Sequence, residues 1–315
     1  MTASKQSPDT QYHVPVMKTE SVDALDLKPG GIYLDVTFGG GGHSRAILEA
    51  LDEEGRLIGF DRDPDAAANV PQDDRFTLVQ ADFRHLYRYA RLHGAMPCDG
   101  ILADLGISSH QIDTAERGFS TRFEGALDMR MDKSGPLTAA DVVNTYEEAE
   151  LQQLLSQYGE VRNAKTLARA LVAARKEQLF QSTEDLKRVA SNVAQGNLNR
   201  YLAQVFQALR IEVNDEMNGL CEFLAGAAQI LRPGGVLAVI TYHSLEDRPV
   251  KQYLLHGDFA DEAPKDFYGK PQRPFEPKPR KPRIPGSEEI KRNPRARSAK
   301  LRIGIRTELP AAKSN

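Results

Sequence analysis

The chain has little cysteine, no long apolar run and almost no net charge. Its two cysteines, Cys98 and Cys221, lie far apart, and neither has neighbours at metal-ligand spacing. This pattern is typical of packed thiols rather than of a disulfide or a zinc pair, so we expect no metal. No run of eighteen apolar residues occurs, and residues 1–11 are polar without a signal-peptide core. The sequence therefore predicts neither a membrane span nor export, and we expect a cytoplasmic protein.

The small net charge hides an uneven distribution of charged residues. The whole chain carries −3, but residues 265–306 contain fourteen Lys and Arg against four Asp and Glu, which gives +10 and leaves −13 for the remainder. Basic blocks of this kind bind phosphate backbones, and a solubilising tail is the alternative. Residues 299–306 alternate like a half-buried strand. This alternation predicts that the basic segment ends inside the fold.

A glycine-rich turn follows the first apolar run. Residues 34–36 read as a strand, Gly39 to Gly42 are four consecutive glycines, and a helical pattern follows them. Glycine has no Cβ, so such a turn can adopt positive φ and bring backbone N–H groups close to a ligand. The order of strand, glycine turn and helix predicts a ligand-binding loop.

Three further strands each end at an acidic or aromatic residue. Asp61 ends the run 56–60, Asp82 and Phe83 follow 76–79, and Asp104 follows 100–103. Ligands of open parallel sheets lie outside the carboxyl ends of the strands, so these side chains are expected to line one crevice, with Asp61 accepting hydrogen bonds from a ribose diol. An Asp after a strand is also a common helix cap, and Phe83 fits either an adenine contact or the core.

The chain alternates strands and helices up to Asp104, and this rhythm then breaks. Helical spacing dominates residues 151–193, and a single long helix is predicted from Tyr201 to Leu231, ended by a Pro-Gly-Gly breaker. A fully apolar strand, 236–241, resumes the sheet, and the region from Pro264 to Pro294, with eight prolines, is expected to be mostly extended. These patterns predict an α/β protein with a mostly parallel, doubly wound sheet, interrupted by an inserted all-helical domain.

Seven segments of the chain, in order, resemble the motifs of one known family: 37–44 (TFGGGGHS), 60–64 (FDRDP), 104–109 (DLGISS), 117–120 (RGFS), 127–132 (LDMRMD), 242–248 (YHSLEDR) and 293–298 (NPRARS). The chain resembles the bacterial MraW/RsmH family, S-adenosylmethionine-dependent methyltransferases that modify the N4 of a cytosine in the decoding region of small-subunit (16S) ribosomal RNA. The similarity extends from His13 to Arg306.

The resemblance implies a class I (Rossmann-like) methyltransferase in three parts. Residues 1–106 and 214–315 would form the methyltransferase domain, with a basic Pro-rich segment at 264–298, and 107–213 would be a helical substrate-recognition insertion. The implied cofactor is S-adenosyl-L-methionine, and its family contacts fall on seven residues of this chain: Gly41, Gly42, His43, Asp61, Phe83, Asp104 and Gln111. The run 200–204 (RYLAQ) departs from the family's usual sequence there.

The expected chemistry is in-line methyl transfer to a poorly nucleophilic amine, in which positioning matters more than acid–base catalysis. Asp104 is expected to face the amine. His243, Glu246 and Asp247 are expected to shape the base pocket, although His243 equally fits a structural role. A single-stranded or flipped cytosine is the natural target. Phosphate contacts are expected from three basic residues: Arg295, Arg297 and Lys300. Arg295 and Arg297 are two apart in a chain expected to be extended, so their side chains are expected to point to one face together; pairing with the acidic remainder of the fold is the alternative.

The expected partner is 16S rRNA within the small ribosomal subunit, and a homodimer stays open. Three other functions compete with this interpretation: a nicotinamide-dependent dehydrogenase, a non-enzymatic RNA-binding protein on a degenerate scaffold, and a methyltransferase for proteins or small molecules. The four glycines lack the spaced pattern of a dinucleotide fingerprint. The acids after successive strands argue for retained catalysis, and the basic segment argues for RNA.

Overall fold

The computed structural model describes residues 15–259, 265–269 and 271–309. Seven strands form one sheet: β1 (Ile32–Asp35), β2 (Arg56–Asp61), β3 (Phe76–Gln80), β4 (Cys98–Asp104), β5 (Leu231–Thr241), β6 (Phe275–Pro277) and β7 (Lys300–Arg306). Their order across the sheet is β3-β2-β1-β4-β5-β7-β6. The first five strands pair in parallel, and β7 is antiparallel to both β5 and β6. The predicted mostly parallel α/β sheet is confirmed.

Twelve helices occur in the described part of the chain: α1 (Lys18–Leu25), α2 (Gly42–Ala50), α3 (Leu86–Leu92), α4 (Ser109–Asp113), α5 (Ala139–Thr145), α6 (Glu148–Gln157), α7 (Ala164–Glu177), α8 (Thr183–Val193), α9 (Leu198–Val213), α10 (Glu216–Ile230), α11 (Ser244–His256) and α12 (Ser287–Arg292). Short 3-10 turns lie at Pro64–Asn69, Phe83–His85, Ala115–Arg117 and Pro294–Ser298. No helix among these residues is long and apolar enough to span a membrane.

The central strands are apolar on both faces because helices cover both sides of the sheet. Along β4, Ile101 and Ala103 join one buried cluster, whereas Leu102 between them joins the other. Successive side chains of a strand point to opposite faces, so a continuous apolar run supplies both layers. This burial fixes the sheet and presents the carboxyl ends of β1, β2, β4 and β5 along one edge.

A third buried cluster lies outside the sheet. Its residues come from between Phe119 and Leu209, and they include apolar positions of α5, α6, α7, α8 and α9. The predicted cap of α8 is present, because the Ser182 hydroxyl accepts the Asp185 N–H and the Asp185 carboxylate accepts the Ser182 N–H. The helices of this region therefore have a core of their own, and the domain limits at 106/107 and 213/214 stay a prediction.

The prediction of one helix from Tyr201 to Leu231 is wrong. Helix α9 ends at Val213, and α10 begins at Glu216 after Asp215, whose φ is +47°. The Asn214 side chain donates to the Met129 carbonyl at 2.7 Å and accepts the Met131 N–H at 2.8 Å. These bonds tie the break to a distant loop, so a tertiary contact interrupts an otherwise helical sequence.

The basic segment is also less extended than predicted. Residues 287–292 form α12, and 294–298 form a 3-10 turn in which the Asn293 side chain accepts the Arg295 N–H. The strand predicted for residues 299–306 is present as β7, so the segment does end inside the sheet. The prolines between positions 277 and 285 prevent a helix in that stretch. Asn293 then caps the 3-10 turn that follows α12.

Candidate active site

The glycine loop connects β1 to α2 and needs glycine at particular positions. Gly41 has a φ of +72° and caps α2, and a Cβ there would lie 2.9 Å from the Phe38 ring. A Cβ on Gly42 would lie 2.3 Å from Pro15. A Cβ on Gly40, in contrast, would meet no heavy atom within 4 Å. The loop is thus packed on the protein side and open at Gly40, as a loop that approaches a ligand should be.

Asp61 joins this loop to the end of β2. Its two carboxylate oxygens accept the Gly39 N–H at 2.7 Å and the Asp63 N–H at 2.8 Å. Burial raises the pKa of Asp61 to about 6, although the two N–H donors oppose that change. Each oxygen keeps a further lone pair, so the ionised carboxylate can accept hydroxyl groups of a ribose diol.

Asp104, at the end of β4, is held from three directions. Its N–H donates to Thr37 Oγ1 at 2.6 Å, and its Oδ1 accepts the Tyr242 hydroxyl at 2.7 Å. Its Oδ2 lies 3.5 Å from His43 Nε2. Burial, followed by the Asp104 charge, raises the pKa of Tyr242 well above 10, so this hydroxyl remains a proton donor. The structure therefore places Asp104 and His43 side by side.

His43 is almost completely buried at the start of α2. Neither of its ring nitrogens has a hydrogen-bond partner within the described ranges. Burial lowers the pKa of His43, but the Asp104 and Asp35 carboxylates outweigh burial and leave it raised. A buried imidazole with unused polar atoms beside a strand-end carboxylate fits a group that contacts a bound ligand.

The Gln111 side chain is hydrogen-bonded to the loop that follows β2. Its side-chain N–H donates to the buried Asp63 carboxylate at 2.7 Å, and its oxygen accepts the Ser108 N–H at 3.0 Å. Arg117 also contacts Asp63, at 2.8 Å, and donates to the carbonyl groups of Arg130 and Met131. Asp63 follows Asp61 closely, so this buried network fixes the position of the Asp61 loop against residues 108–131.

Phe83 lies next to the hydrophobic core. Its ring meets Phe223 edge to face at 5.3 Å, and it remains partly exposed at the end of β3. Asp82 caps the 3-10 turn by accepting the Arg84 N–H at 2.9 Å. The core contact is thus present, and an exposed part of the ring remains at the edge where an adenine is expected.

His243 and Glu246 belong to a buried charge cluster. His243 Nε2 lies 2.9 Å from Glu246 Oε1, whose other oxygen accepts the Tyr242 N–H at 2.9 Å. The Arg210 guanidinium lies 3.3 Å from the same His243 nitrogen and binds Glu216 at 2.8 Å. Burial raises the pKa of Glu246, but His243 and then Arg210 outweigh it and leave it lowered. The cluster joins α9, α10 and α11.

The structure does not bring Asp247 to this group. Its carboxylate binds Arg302 at 2.6 Å and Lys300 at 3.1 Å, on β7. These bonds lower the pKa of Asp247 against the effect of burial. Both carboxylate oxygens are thus used by cations, and the expectation that Asp247 shapes a base pocket stays a prediction. Lys300, expected to contact phosphate, is half-exposed and already paired.

Arg295 and Arg297 are not two residues of an extended chain. They lie in a 3-10 turn, where Arg295 donates to Ser109 and binds Asp113 at 3.1 Å. Arg297 is exposed. The expected pair of parallel side chains is therefore wrong, and Arg295 packs the basic segment onto α4 next to Gln111.

Comparisons with known proteins fit this arrangement. Residues 10–307 match the MraW methylase family. The chain belongs to this family. It is 51% identical over 95% of its length to the ribosomal RNA small subunit methyltransferase H of Parabacteroides distasonis, and 52% identical over 95% to that of Bacteroides thetaiotaomicron, covering 98% of each relative.

A solved rRNA methylase from Streptococcus thermophilus aligns with a TM-score of 0.38 at 14% identity, over 97% of this chain and 100% of that one. The assignment of the fold rests on the strand order of the sheet and not on this likeness. As an MraW-family member the chain is an S-adenosylmethionine-dependent methyltransferase. The open loop at Gly40, the Asp61 carboxylate and the His43 ring, which makes no hydrogen bond to any described residue, fit this cofactor.

Sequence reasoning missed four residues that organise the site of this MraW-family chain. Tyr242 and Arg117 lie inside the motifs that carried the resemblance, so their motif membership was the available signal. Asn214 and Arg210 carry no such signal. They sit in a helical pattern, and their partners are 83 and 33 residues away in the chain.

Proposed function

We propose that this MraW-family enzyme methylates the exocyclic N4 amine of a cytosine in the decoding region of small-subunit (16S) ribosomal RNA. The observation that carries the proposal is the Asp104 carboxylate, held by Tyr242 at 2.7 Å beside the glycine loop. The names of the curated relatives and the basic segment 265–306 support RNA as the substrate.

The cofactor would be held by the glycine loop and by the residues that follow successive strands. Asp61 would accept the ribose hydroxyls, and the exposed part of Phe83 would contact the adenine. The network of Asp63, Gln111 and Arg117 keeps the Asp61 loop in place and thereby supports the cofactor without touching the reacting atoms. S-adenosylmethionine, when bound, supplies a methyl group on a positively charged sulfur.

Asp104 would orient the amine of the cytosine. The lone pair of this amine is drawn into the ring, which makes the amine a poor nucleophile. A carboxylate oxygen that accepts an amino hydrogen turns the lone pair toward the methyl group and stabilises the charge that develops on nitrogen. Tyr242 and Thr37 keep Asp104 in one orientation, so little reorganisation is needed at the moment of transfer.

His243 and Glu246 would act as positioning residues. Glu246 accepts the Tyr242 N–H, so the buried cluster fixes the backbone that carries the Tyr242 hydroxyl. The two side chains contact each other, and both contact Arg210. They would therefore hold the acceptor in place rather than carry a proton.

The RNA must present its cytosine unstacked, because a stacked base hides its amine from the site. The exposed Arg297 would contact a phosphate close to the target, next to the place where Arg295 joins α4. Lys300, which is paired with Asp247, would contribute less.

The proposal is tested by mapping the product. The purified enzyme is given isotopically labelled S-adenosylmethionine with small-subunit rRNA, either free or in assembled subunits, and the labelled nucleoside is identified by mass spectrometry. We expect N4-methylcytidine at one position in the decoding region. A label on another atom or another base, or a label on protein only, would contradict the proposal.

A further inference from the structure

The segment between α11 and β6 presents two aromatic rings to solvent. Phe267 is 96% exposed and Tyr268 is 84% exposed. Their ring centroids lie 5.4 Å apart with the planes nearly perpendicular, at 88°. Single exposed apolar residues are common, but two neighbouring rings that are almost fully exposed are characteristic of a surface that binds a partner.

The local backbone does not need these rings. The Asp266 carboxylate accepts the Tyr268 N–H at 2.9 Å, and the Asp266 carbonyl accepts the Gly269 N–H at 3.0 Å. Gly269 has a φ of +78°. Asp266 and Gly269 therefore satisfy the chemistry of the turn, and Phe267 and Tyr268 occupy its central positions, where small or polar residues are usual. We call residues 265–269 the aromatic turn.

Residues before and after the aromatic turn contact the body of the protein. On one side Phe259 stacks on Tyr253 at 5.2 Å. On the other, Arg273 donates to the Leu255 carbonyl at 3.3 Å, and its own carbonyl accepts the Thr307 hydroxyl at 2.8 Å.

The chain that follows the aromatic turn is rich in unpaired cations. Lys278, Arg280, Lys281 and Arg283 are all exposed. Among residues 15–259, 265–269 and 271–309, none of these four has an ion-pair partner. Exposed rings beside free cations match the two chemical features of unpaired RNA, which are flat bases and a phosphate backbone.

The topology places the aromatic turn far from the glycine loop. β7 begins at Lys300 opposite Thr241, at the catalytic edge, and ends at Arg306 opposite Phe275. The turn precedes Phe275, which pairs with the far end of β7, and the two ends of this seven-residue strand are about 24 Å apart. The cationic stretch then leads back to Arg295, which contacts Ser109 in α4.

We propose that the aromatic turn stacks on unpaired bases of the substrate RNA at a point remote from the methylated nucleotide. The exposed cations between the turn and Arg297 contact the phosphates that connect the two points. This inference rests on the proposed function for the identity of the RNA. RNA is favoured over a protein partner because the cations that follow the rings in the chain have no ion-pair partner among the described residues, and the rest of the chain is acidic, at −13 outside residues 265–306.

The test compares RNAs of two lengths. At about 3.4 Å per stacked nucleotide, the length of β7, about 24 Å, corresponds to roughly seven nucleotides, and the proposal takes this as the spacing between target and turn. The double substitution Phe267→Ala and Tyr268→Ala should weaken binding of a long small-subunit rRNA fragment at least about fivefold. It should leave unchanged the binding of an oligonucleotide with three nucleotides on either side of the target. The matched control, Tyr87→Ala with Leu92→Ala, removes exposed apolar side chains from α3 and should change neither.

A spectroscopic signal reports on stacking directly. The chain has no tryptophan, so Tyr268→Trp supplies a single indole fluorophore. Unpaired RNA should quench its fluorescence with the affinity of the intact enzyme, whereas a fully paired duplex should not. Absence of quenching, or equal loss of binding on the short oligonucleotide, would overturn the proposal.

Two further outcomes separate this inference from others. If the double substitution impairs methylation of assembled subunits but leaves binding of free RNA intact, the turn docks on a protein and the inference is wrong. If the enzyme binds and is quenched by long RNA but transfers no methyl group to it, the inference stands and the proposed function fails.

Discussion

The two halves of the catalytic edge use their carboxylates differently. After β2 and β4, Asp61 and Asp104 accept bonds from backbone N–H groups and a tyrosine hydroxyl, and the His43 ring lies 3.5 Å from Asp104. After β5, Glu246 and Asp247 lie directly against arginine, histidine or lysine. Neutral donors orient a carboxylate and leave its charge available to a ligand, whereas a cation in direct contact neutralises it. The first half therefore fits the proposed chemistry, and the second holds the insertion and β7 to the sheet.

The largest expected effect concerns the stability of the second half. Arg210→Met leaves Glu216 and Glu246 buried without their cation, and it should lower the free energy of unfolding by about 3–5 kcal/mol. Urea denaturation measures this change. Arg200→Met, at an exposed position of the same helix, is the matched control and should cost less than about 0.5 kcal/mol. Similar stability in both variants would mean that the buried cluster is not structural.

The next effect concerns activity in the first half. Asp104→Asn keeps the shape of the side chain but removes its charge, so single-turnover methyl transfer should slow about 10²–10³-fold. Asp247→Asn is the comparison, since it also changes a carboxylate close to a strand end. It should lower stability while keeping the rate within about threefold. An equal loss of rate in both variants would remove the distinction between the two halves.

The pKa of Asp61 predicts a dependence on pH. Because this pKa is about 6, cofactor binding should weaken as the pH falls from 7 to 5, when the carboxylate becomes protonated. Asp61→Asn should weaken binding at least about tenfold at pH 7 and abolish the pH dependence. Calorimetric titration with S-adenosylhomocysteine measures both. A pH dependence that survives in Asp61→Asn would assign it to another group.

As the pH rises, Asp61 is expected to strengthen cofactor binding but to lower the stability of the folded protein. The pKa of Asp61 is higher in the folded protein than its ordinary value of 3.8, so the folded state binds this proton more tightly. Its stabilising contribution is complete below pH about 4 and is lost as the pH rises through about 6. Asp61→Asn should remove this component from the pH profile of the unfolding free energy.

The smallest expected effect concerns the hydrogen bond that connects the two halves, from the Tyr242 hydroxyl to Asp104. Tyr242→Phe removes the hydroxyl bonded to Asp104 and should lower kcat about tenfold with little change in KM for the cofactor. Tyr253→Phe, which changes a buried tyrosine on α11, should leave kcat unchanged. A change in KM alone would place Tyr242 in cofactor binding instead of amine orientation.

Much of the sheet could be predicted because its signals are local. The runs at 56–60 and 76–79 are within one residue of β2 and β3, and the four glycines lie where β1 turns into α2. Apolar runs predict buried strands, and positive φ demands glycine, whatever the rest of the chain does. Two residues proposed to face the cofactor could be predicted for the same reason, since Asp61 and Asp104 each end such a run.

The pairing of charges could not be predicted in the same way. Asp247 and Arg302 are 55 residues apart, and Arg295 and Asp113 are 182 apart. No local pattern states which carboxylate meets a cation, because an ion pair depends on where two separate elements pack. The break at Asn214 has the same origin, since its side chain binds a loop that α9 approaches only in the folded protein.

The amino-acid sequence therefore sufficed for the strands, the glycine loop, the family and the cofactor, each of which depends on short-range patterns or on long motifs. Packing decided which of the strand-end acids stay available to a ligand. Asp104 is held by a tyrosine hydroxyl at 2.7 Å, with the His43 ring at 3.5 Å, whereas β7 places Arg302 and Lys300 directly against Asp247. Carboxylates after neighbouring strands thus differ in the neighbours that packing gives them, and the proposed role of Asp104 depends on that difference.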